Sequence, residues 1–448
     1  MRLYINMRSE FRRIVGLFIF LLCAGNLSAQ TAISPYSIFG NGERESGKFA
    51  NQIGMGGISA GLRDPMQINF TQPASYSKLK YTTIDIGGFY QETQLADASQ
   101  SASSANGGFN YLAFGFPLME GWALVAGINP YSKIGYDVSA TTSFDFADAD
   151  LNYVGTGGFD RAFLGTSIEV FKGLSIGANA SYFFGTAERS TTVLMENNNF
   201  YSTTKEESLG ATGFAWDAGI QYVTRLSSDT LKELVVGATY VPQTNINGTL
   251  NDLYYTFTYS PSTGARQYKD TVYARENQDA DVIFNSNYAL GFTYGKRHKQ
   301  LIQYAWSFGA DYQFLSRGEL NSGTEVRGTY SNGMRIGVGG QFIPYYAFDL
   351  DRGSYFSQVD YRFGAFYENT GLSLNNEAIT DRGFTLGLGM PVGRRTTSPN
   401  DVKLATLNIG MVFGQRGLRD SGNIEETYAR FVVGLTLNDK WFTQFRYR

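Results

Sequence analysis

The chain has 448 residues, a formal net charge of −3, one histidine and one cysteine. Aromatics make up 15% of it, with 30 Tyr and 34 Phe, beside 52 glycines and only 10 prolines. That aromatic content excludes a disordered chain, and the mild, dispersed acidity argues against nucleic acid as a partner.

The chain opens as a secretory signal. Arg8, Arg12 and Arg13 form a charged start, and the apolar run 14–24 is too short to span a bilayer. Leu27-Ser28-Ala29 supplies the small-residue cleavage site, so cleavage is expected after Ala29. Leu22 is bulkier than lipoprotein processing prefers before a cysteine. Cys23 leaves with the signal, which excludes disulfide and thiol chemistry from the mature chain. No later stretch approaches about 18 consecutive apolar residues, the length of a membrane-spanning helix.

Residues 30–53 are polar and glycine-rich and carry no sustained period. Residues 54–79 are dense in glycine and broken by Asp64-Pro65 and Gln72-Pro73, which rules out a continuous helix. Such compact, turn-rich chain needs something larger to hold it. We read 30–79 as an N-terminal extension and plug lying inside a barrel formed by 80–448.

From residue 80 a period of two dominates. It predicts fourteen strands, over 80–91, 108–117, 121–139, 158–171, 173–187, 208–225, 231–246, 283–296, 300–315, 333–344, 357–368, 380–393, 401–415 and 424–438. In 173–187, Ile176, Ala178, Ala180 and Tyr182 oppose Ser175, Gly177, Asn179 and Ser181. In 300–315, Tyr304, Trp306, Phe308 and Tyr312 oppose Ser307, Gly309 and Asp311. One strongly apolar face per strand against a polar, glycine-rich one suits lipid outside and a polar lumen inside.

The links give a second test. Those at 92–107, 140–157, 188–207 and 247–282 are long, and those between them short, as expected of extracellular loops alternating with periplasmic turns. The stretch 345–356 is long for a periplasmic turn. The final residues, with Trp441, Phe442 and Tyr447, suit a signal for barrel insertion or an interfacial aromatic girdle. The fold class is therefore all-β: a 14-stranded antiparallel transmembrane barrel with an N-terminal plug, in a bacterial outer membrane.

The stretches Gly56-Gly57-Ile58-Ser59-Ala60-Gly61-Leu62-Arg63-Asp64 and Asn69-Phe70-Thr71-Gln72-Pro73-Ala74-Ser75 resemble the hatch of the FadL/TodX family, outer-membrane channels for hydrophobic compounds. Pro73 and Ala74 match the family's Asn-Pro-Ala motif, and Gln72 stands where the family has Asn. The start Ser34-Pro35-Tyr36-Ser37 and the end 438–442 resemble a Bacteroidetes branch of it. The resemblance implies passive uptake of fatty-acid-like molecules, gated by a plug that includes Gly56, Gly57, Asp64, Gln72, Pro73 and Ala74. It also implies sideways exit where the third strand kinks, and Asn129-Pro130 are the residues placed to make that opening. The alternative reading is a non-transporting barrel subunit of an outer-membrane secretion or assembly machine, with a further outer-membrane protein as partner.

By spacing, Asp85, Asp217, Asp311, Arg335, Asp360 and Arg362 face the lumen, where ion pairs between wall and plug are the expected role. No enzyme is expected. His298 sits among cations with no acidic orienter, and no serine elbow is present. The acidic runs 145–150 and 279–281 lack calcium-loop spacing and read as solvated loop charge, so neither metal nor cofactor is expected.

Overall fold

The structure, a computed structural model, describes residues 34–144, 147–197, 199–226, 229, 231–260, 263–297, 303–316, 329–344, 355–392, 404–419 and 423–440. Fourteen strands close one antiparallel barrel, with Thr82 paired to Asp439 and Ala96 to Glu425 across the seam. They begin with β1 (Thr82–Ala96), β2 (Ser101–Met119), β3 (Trp122–Phe144), β4 (Ala147–Phe171), β5 (Leu174–Met195) and β6 (Ser202–Thr224). Strand β7 comes in two pieces, Lys232–Val241 and Thr244–Tyr259, as does β8, Arg266–Phe284 and Asn287–Arg297. The break in β7 falls at Pro242, which cannot donate to a ladder. Then follow β9 (Tyr304–Leu315), β10 (Gly333–Phe342), β11 (Asp360–Leu374), β12 (Glu377–Val392), β13 (Leu404–Arg416) and β14 (Glu425–Asp439).

The two faces of the wall are inverted relative to a soluble protein. Ile176, Leu164, Phe214, Leu290 and Phe384 are exposed outward, while Ser175, Asn179, Gln221, Asp311 and Arg362 are buried inward. Only a hydrocarbon surrounding makes that arrangement stable, so the molecule is an outer-membrane barrel. Among the described residues no helix is long and apolar enough to cross a membrane, and the crossing is made by strands.

Two expectations need correction. The segments 92–107, 140–157, 188–207 and 247–282 are not long loops. The strands run on through most of them, and only the short links after Ala96, Phe144, Met195 and Tyr259 remain. Above the membrane there is no lipid to impose an apolar face, so residues 266–279 are largely exposed on both sides and lose the period while still pairing. Asp148, Asp150, Asp279 and Asp281 consequently sit exposed on strands rather than in loops. The second correction is Tyr304, expected on the lipid face but buried. A register shift between Lys296 and Arg297 turns it inward, where its hydroxyl donates to Glu233 at 2.5 Å. Residues 1–33, 298–302, 345–354 and 441–448, which include the expected signal, His298, most of the long turn and the aromatic tail, lie outside the described residues.

One seam in the wall is incomplete. Strands β2 and β3 pair from Met119 with Trp122 only as far as Leu112 with Ile128. Beyond that point β2 pairs with β1 alone, and β3 with β4. Each edge turns away at a bulge, β2 at Asn110, opposite Gly87 and Gly88, and β3 at Tyr131, between Pro130 and Ser132. Gly158 of β4 makes room for the bend. Its φ is +137°, and a Cβ there would lie 2.3 Å from the Ser132 carbonyl oxygen. Strand β3 thus dips into the interior, and the Tyr131 ring meets Phe183 at 4.9 Å and Phe284 of β8 at 4.7 Å. Around it Ile134, Phe159, Leu209, Ile246 and Val282 form an apolar cluster inside the barrel.

A charge on the lipid face tests this account of the wall. Leu164→Arg is expected to destabilise the barrel by about 2–4 kcal/mol, read as a lower urea midpoint in detergent or lipid, whereas Ser167→Ala on the opposite face of β4 should cost less.

Candidate functional site

Residues 34–79 lie against the inner wall, and their local structure follows from short-range chemistry. The helix Ala50–Ile53 starts where the Gln52 side chain accepts from the Phe49 amide at 2.9 Å. Asp64 accepts from the Met66 amide at 2.7 Å and closes the turn around Pro65. Gln72 caps the 3-10 helix Pro73–Lys78, accepting from the Ala74 amide at 3.3 Å. Phe49, Ile68, Phe70, Tyr76 and Leu79 are buried against Tyr111, Val125 and Phe163 of the wall. The Phe49 and Tyr111 rings stack at 3.9 Å.

Polar contacts then fix the segment to strand after strand. Asp311 on β9 accepts from the amides of Ser59 and Ala60, the latter at 2.8 Å. Thr385 on β12 accepts from the amide of Gly56, whose φ is +67°. Gly57 follows with φ +73° and faces Lys48. Gln221 on β6 donates to the Ala60 and Leu62 carbonyls at 2.9 and 3.2 Å. Ser167 on β4 donates to the Ala74 carbonyl at 2.9 Å, and Pro73 packs on Gly177 of β5.

The Gln72 position acquires a physical reason. Its amide donates to Ala60 at 3.0 Å within the segment, and to Ile220 on β6 and Ala238 on β7 at 3.3 and 3.2 Å. Gly219 lets it approach, since a Cβ there would stand 1.9 Å from the Gln72 Oε1. An Asn would be one methylene too short to bridge segment and wall in this way.

The expected lumen charges are all interior, though they are not gathered in one place. Asp217 takes Arg161 at 2.5 Å and Asn179 at 2.7 Å, and Asn179 in turn accepts from the Tyr76 hydroxyl at 2.9 Å. Arg335 pairs with Glu368 at 2.8 Å and lies 3.4 Å from the Gly56 carbonyl oxygen. Arg362 bonds Asp360 and Asn408, each at 2.7 Å. Asp85 accepts from Thr436 at 2.8 Å across the closing seam. Asn129 and Pro130 stand where the β2–β3 ladder ends, and the Asn129 amide donates to the Pro130 carbonyl at 2.8 Å.

A second group was not legible in the sequence. The two-residue strand Glu43–Arg44 pairs with Lys133 and Ser132, on the edge of β3 that β2 has left. The Glu45 amide donates to Tyr131 at 2.9 Å and the Ser34 amide to Gly135 at 3.0 Å, extending the contact. Glu43 meets Arg416 at 2.5 Å, and Glu45 meets Arg430 at 2.7 Å and Lys133 at 3.6 Å. Burial alone would raise the Glu45 carboxyl, but Arg430 and Lys133 overcome it and hold it below the usual carboxylate range. A strand of two residues has no period to detect, and its partners lie far away in sequence.

Between segment and wall remains a cavity of 190 Å³, bordered by Arg44, Lys48, Arg161, Asp217, Arg335 and Arg416 among others. Burial and the neighbouring Arg335 push the Lys48 ammonium down to about 7.

A family model described as BamG matches residues 11–448. No curated protein sequence is detectably similar to the chain. Among solved structures, the toluene transporter TbuX of Ralstonia pickettii superposes with a TM-score of 0.53 at 12% identity, over 88% of this chain and 98% of that one. A FadL homologue of Pseudomonas aeruginosa gives the same four values. The toluene transporter TodX of Pseudomonas putida gives 0.51 at 14%, over 89% and 99%. At such identities the likeness is one of fold, and it agrees with the resemblance carried by the 56–75 motif.

Removing the Asp311 carboxylate would leave buried amides unpaired at about 1–3 kcal/mol apiece. Asp311→Leu is therefore expected to raise amide hydrogen exchange at Ser59 and Ala60 selectively, with β1–β14 protection unchanged.

Proposed function

The chain belongs to the BamG family, and on that premise we propose that it is a non-transporting barrel subunit of an outer-membrane secretion or assembly machine. The occupied interior carries this reading. Residues 49–79 fill the part of the barrel nearest the start of β1, and the Tyr131–Phe284 cluster fills one side of the rest. The cavity between this segment and the wall, 190 Å³, is smaller than the roughly 300–1,000 Å³ of small-molecule sites, while a wider groove of 1180 Å³ lies along β1, β2 and β11–β14. Its border mixes apolar residues such as Phe39, Phe70, Leu315 and Leu372 with the charged side chains. Residues 30–79 are in this reading a fixed interior element, and 80–448 the barrel that presents it. The exposed extensions of β7 and β8, with Tyr259, Tyr268 and Val272 outward, supply surface for a protein partner.

A second reading is favoured by the incomplete seam. A gated channel for hydrophobic molecules, fatty-acid-like or monoaromatic, would use residues 54–79 as gate and the β2–β3 gap at Asn129-Pro130 as a sideways exit into lipid. Such an exit spares an apolar solute about 0.8 kcal/mol for each CH₂ kept from water. TbuX and TodX, which share the fold, are toluene transporters. Against it, the strand Glu43–Arg44 stands on the inner edge of that gap and would have to leave before anything passed.

The two readings separate in one pair of measurements. Extracted from native membranes in mild detergent, the protein is expected to migrate in a stoichiometric complex with another outer-membrane protein. Cells lacking it should take up decanoate and toluene at the parental rate. A lone monomer together with lost uptake would reverse the choice.

A further inference from the structure

Two cations bordering the 190 Å³ cavity, Lys48 and Arg44, make no ion pair among the described residues, although Glu43, Glu45, Asp217 and Glu368 also line it. Lys48 is 4% exposed, yet among the described residues its ammonium makes no hydrogen bond or ion pair, with Asp311 and Glu368 its nearest opposing charges, and it lines both this cavity and one of 110 Å³. Arg44, which is exposed, lies with its guanidinium 5.5 Å above the Tyr131 ring and among the described residues meets no carboxylate. The neighbouring cations differ: Arg161, Arg335, Arg416 and Arg430 each have a carboxylate within 2.8 Å. An ammonium taken out of water without a counter-charge is costly, and the cost falls when an anion joins it.

A third donor converges on the same spot. A Cβ built on Gly57 would lie 3.0 Å from the Lys48 Nζ and 3.3 Å from the Arg335 Nη2, so two positive groups face each other across the bare Gly57 backbone. Arg335 spends its Nη1 on Glu368 at 2.8 Å and has only a long contact from Nη2 to the Gly56 carbonyl oxygen, at 3.4 Å. Burial and Arg335 lower the Lys48 ammonium despite the opposing pull of Asp311 and Glu368.

We propose that this cavity binds one small oxyanion, a carboxylate or phosphate group, held by the Lys48 ammonium with Arg44 and Arg335 as flanking donors. The volume accommodates such a group but no long chain. The anion is either free in solution or the head of an amphiphile. The site is independent of whether the barrel transports anything, since a structural anion and a ligand head would meet the same donors.

The test uses the purified full-length barrel in detergent, with inorganic phosphate, acetate and decanoate as probes and the unfolding temperature as readout. At least one probe is expected to raise the wild-type Tm saturably. Lys48→Met should abolish that response while raising the anion-free Tm, because it removes the unpaired charge and keeps the stem. Arg44→Gln should weaken binding about tenfold, and Lys48→Arg should preserve it. Retained heat-modifiable gel mobility shows that each variant is folded. Decanoate binding tenfold or more tighter than acetate identifies an amphiphile head, and equal binding identifies a soluble anion. No saturable effect of any probe on the wild type, or an equal effect on Lys48→Met, overturns the proposal.

Discussion

In a bilayer every backbone N–H and C=O needs a partner within the protein, and β3 meets that demand by an unusual route. It gives up β2 beyond Ile128, dips inward at Pro130 and recovers a partner at Ser132 and Lys133 from the N-terminal strand Glu43–Arg44. The N-terminal segment is thereby part of the wall as well as part of the filling. The ion pairs of Glu43 with Arg416 and Glu45 with Arg430 reach to the far side of the seam, onto β13 and β14. Bend, segment and charge pairs therefore depend on one another, and removing the segment would leave an open edge inside the membrane.

The wall also holds the segment by polar contacts. Asp311, Thr385, Gln221 and Asn179 each direct a polar atom to the backbone or side chains of residues 56–76. Side chains of this kind on a lumen wall hold the segment at many points. The likeness to toluene channels is then a likeness of scaffold. A family can keep barrel, hatch and kink and put them to another use, because function resides in what the interior admits.

The membrane zone of the fold was readable in the sequence because lipid enforces alternation. Ile176 and Tyr182 point out while Asn179 and Ser181 point in, and the strands were found where such pairs occur. Where lipid ends, so does the pattern, which is why Arg266–Phe284 reads as loop and yet pairs with β7. The inner segment was recognisable by its glycines, prolines and 56–75 motif. Its contacts were not, since Asp311 and Ala60 stand 251 positions apart and nothing local links them. The Gln72 departure could be seen in sequence, but its cause lies in Gly219 and the carbonyls of two other strands. Glu43, Arg44, Glu45 and Lys48 left no mark, because a two-residue strand on an irregular segment has neither period nor motif.

The most direct test of a fixed interior is to weld the segment to β3. Arg44 and Ser132 are opposed residues of one antiparallel pair, a geometry compatible with a disulfide. The only natural cysteine, Cys23, lies before the expected cleavage site, so Arg44→Cys with Ser132→Cys can join only each other. The measurement is complementation of cells lacking the protein, with the pair oxidised and then reduced. A structural interior predicts equal activity in both states. Activity lost on oxidation and restored by reductant would show that the segment must move, and would contradict the account.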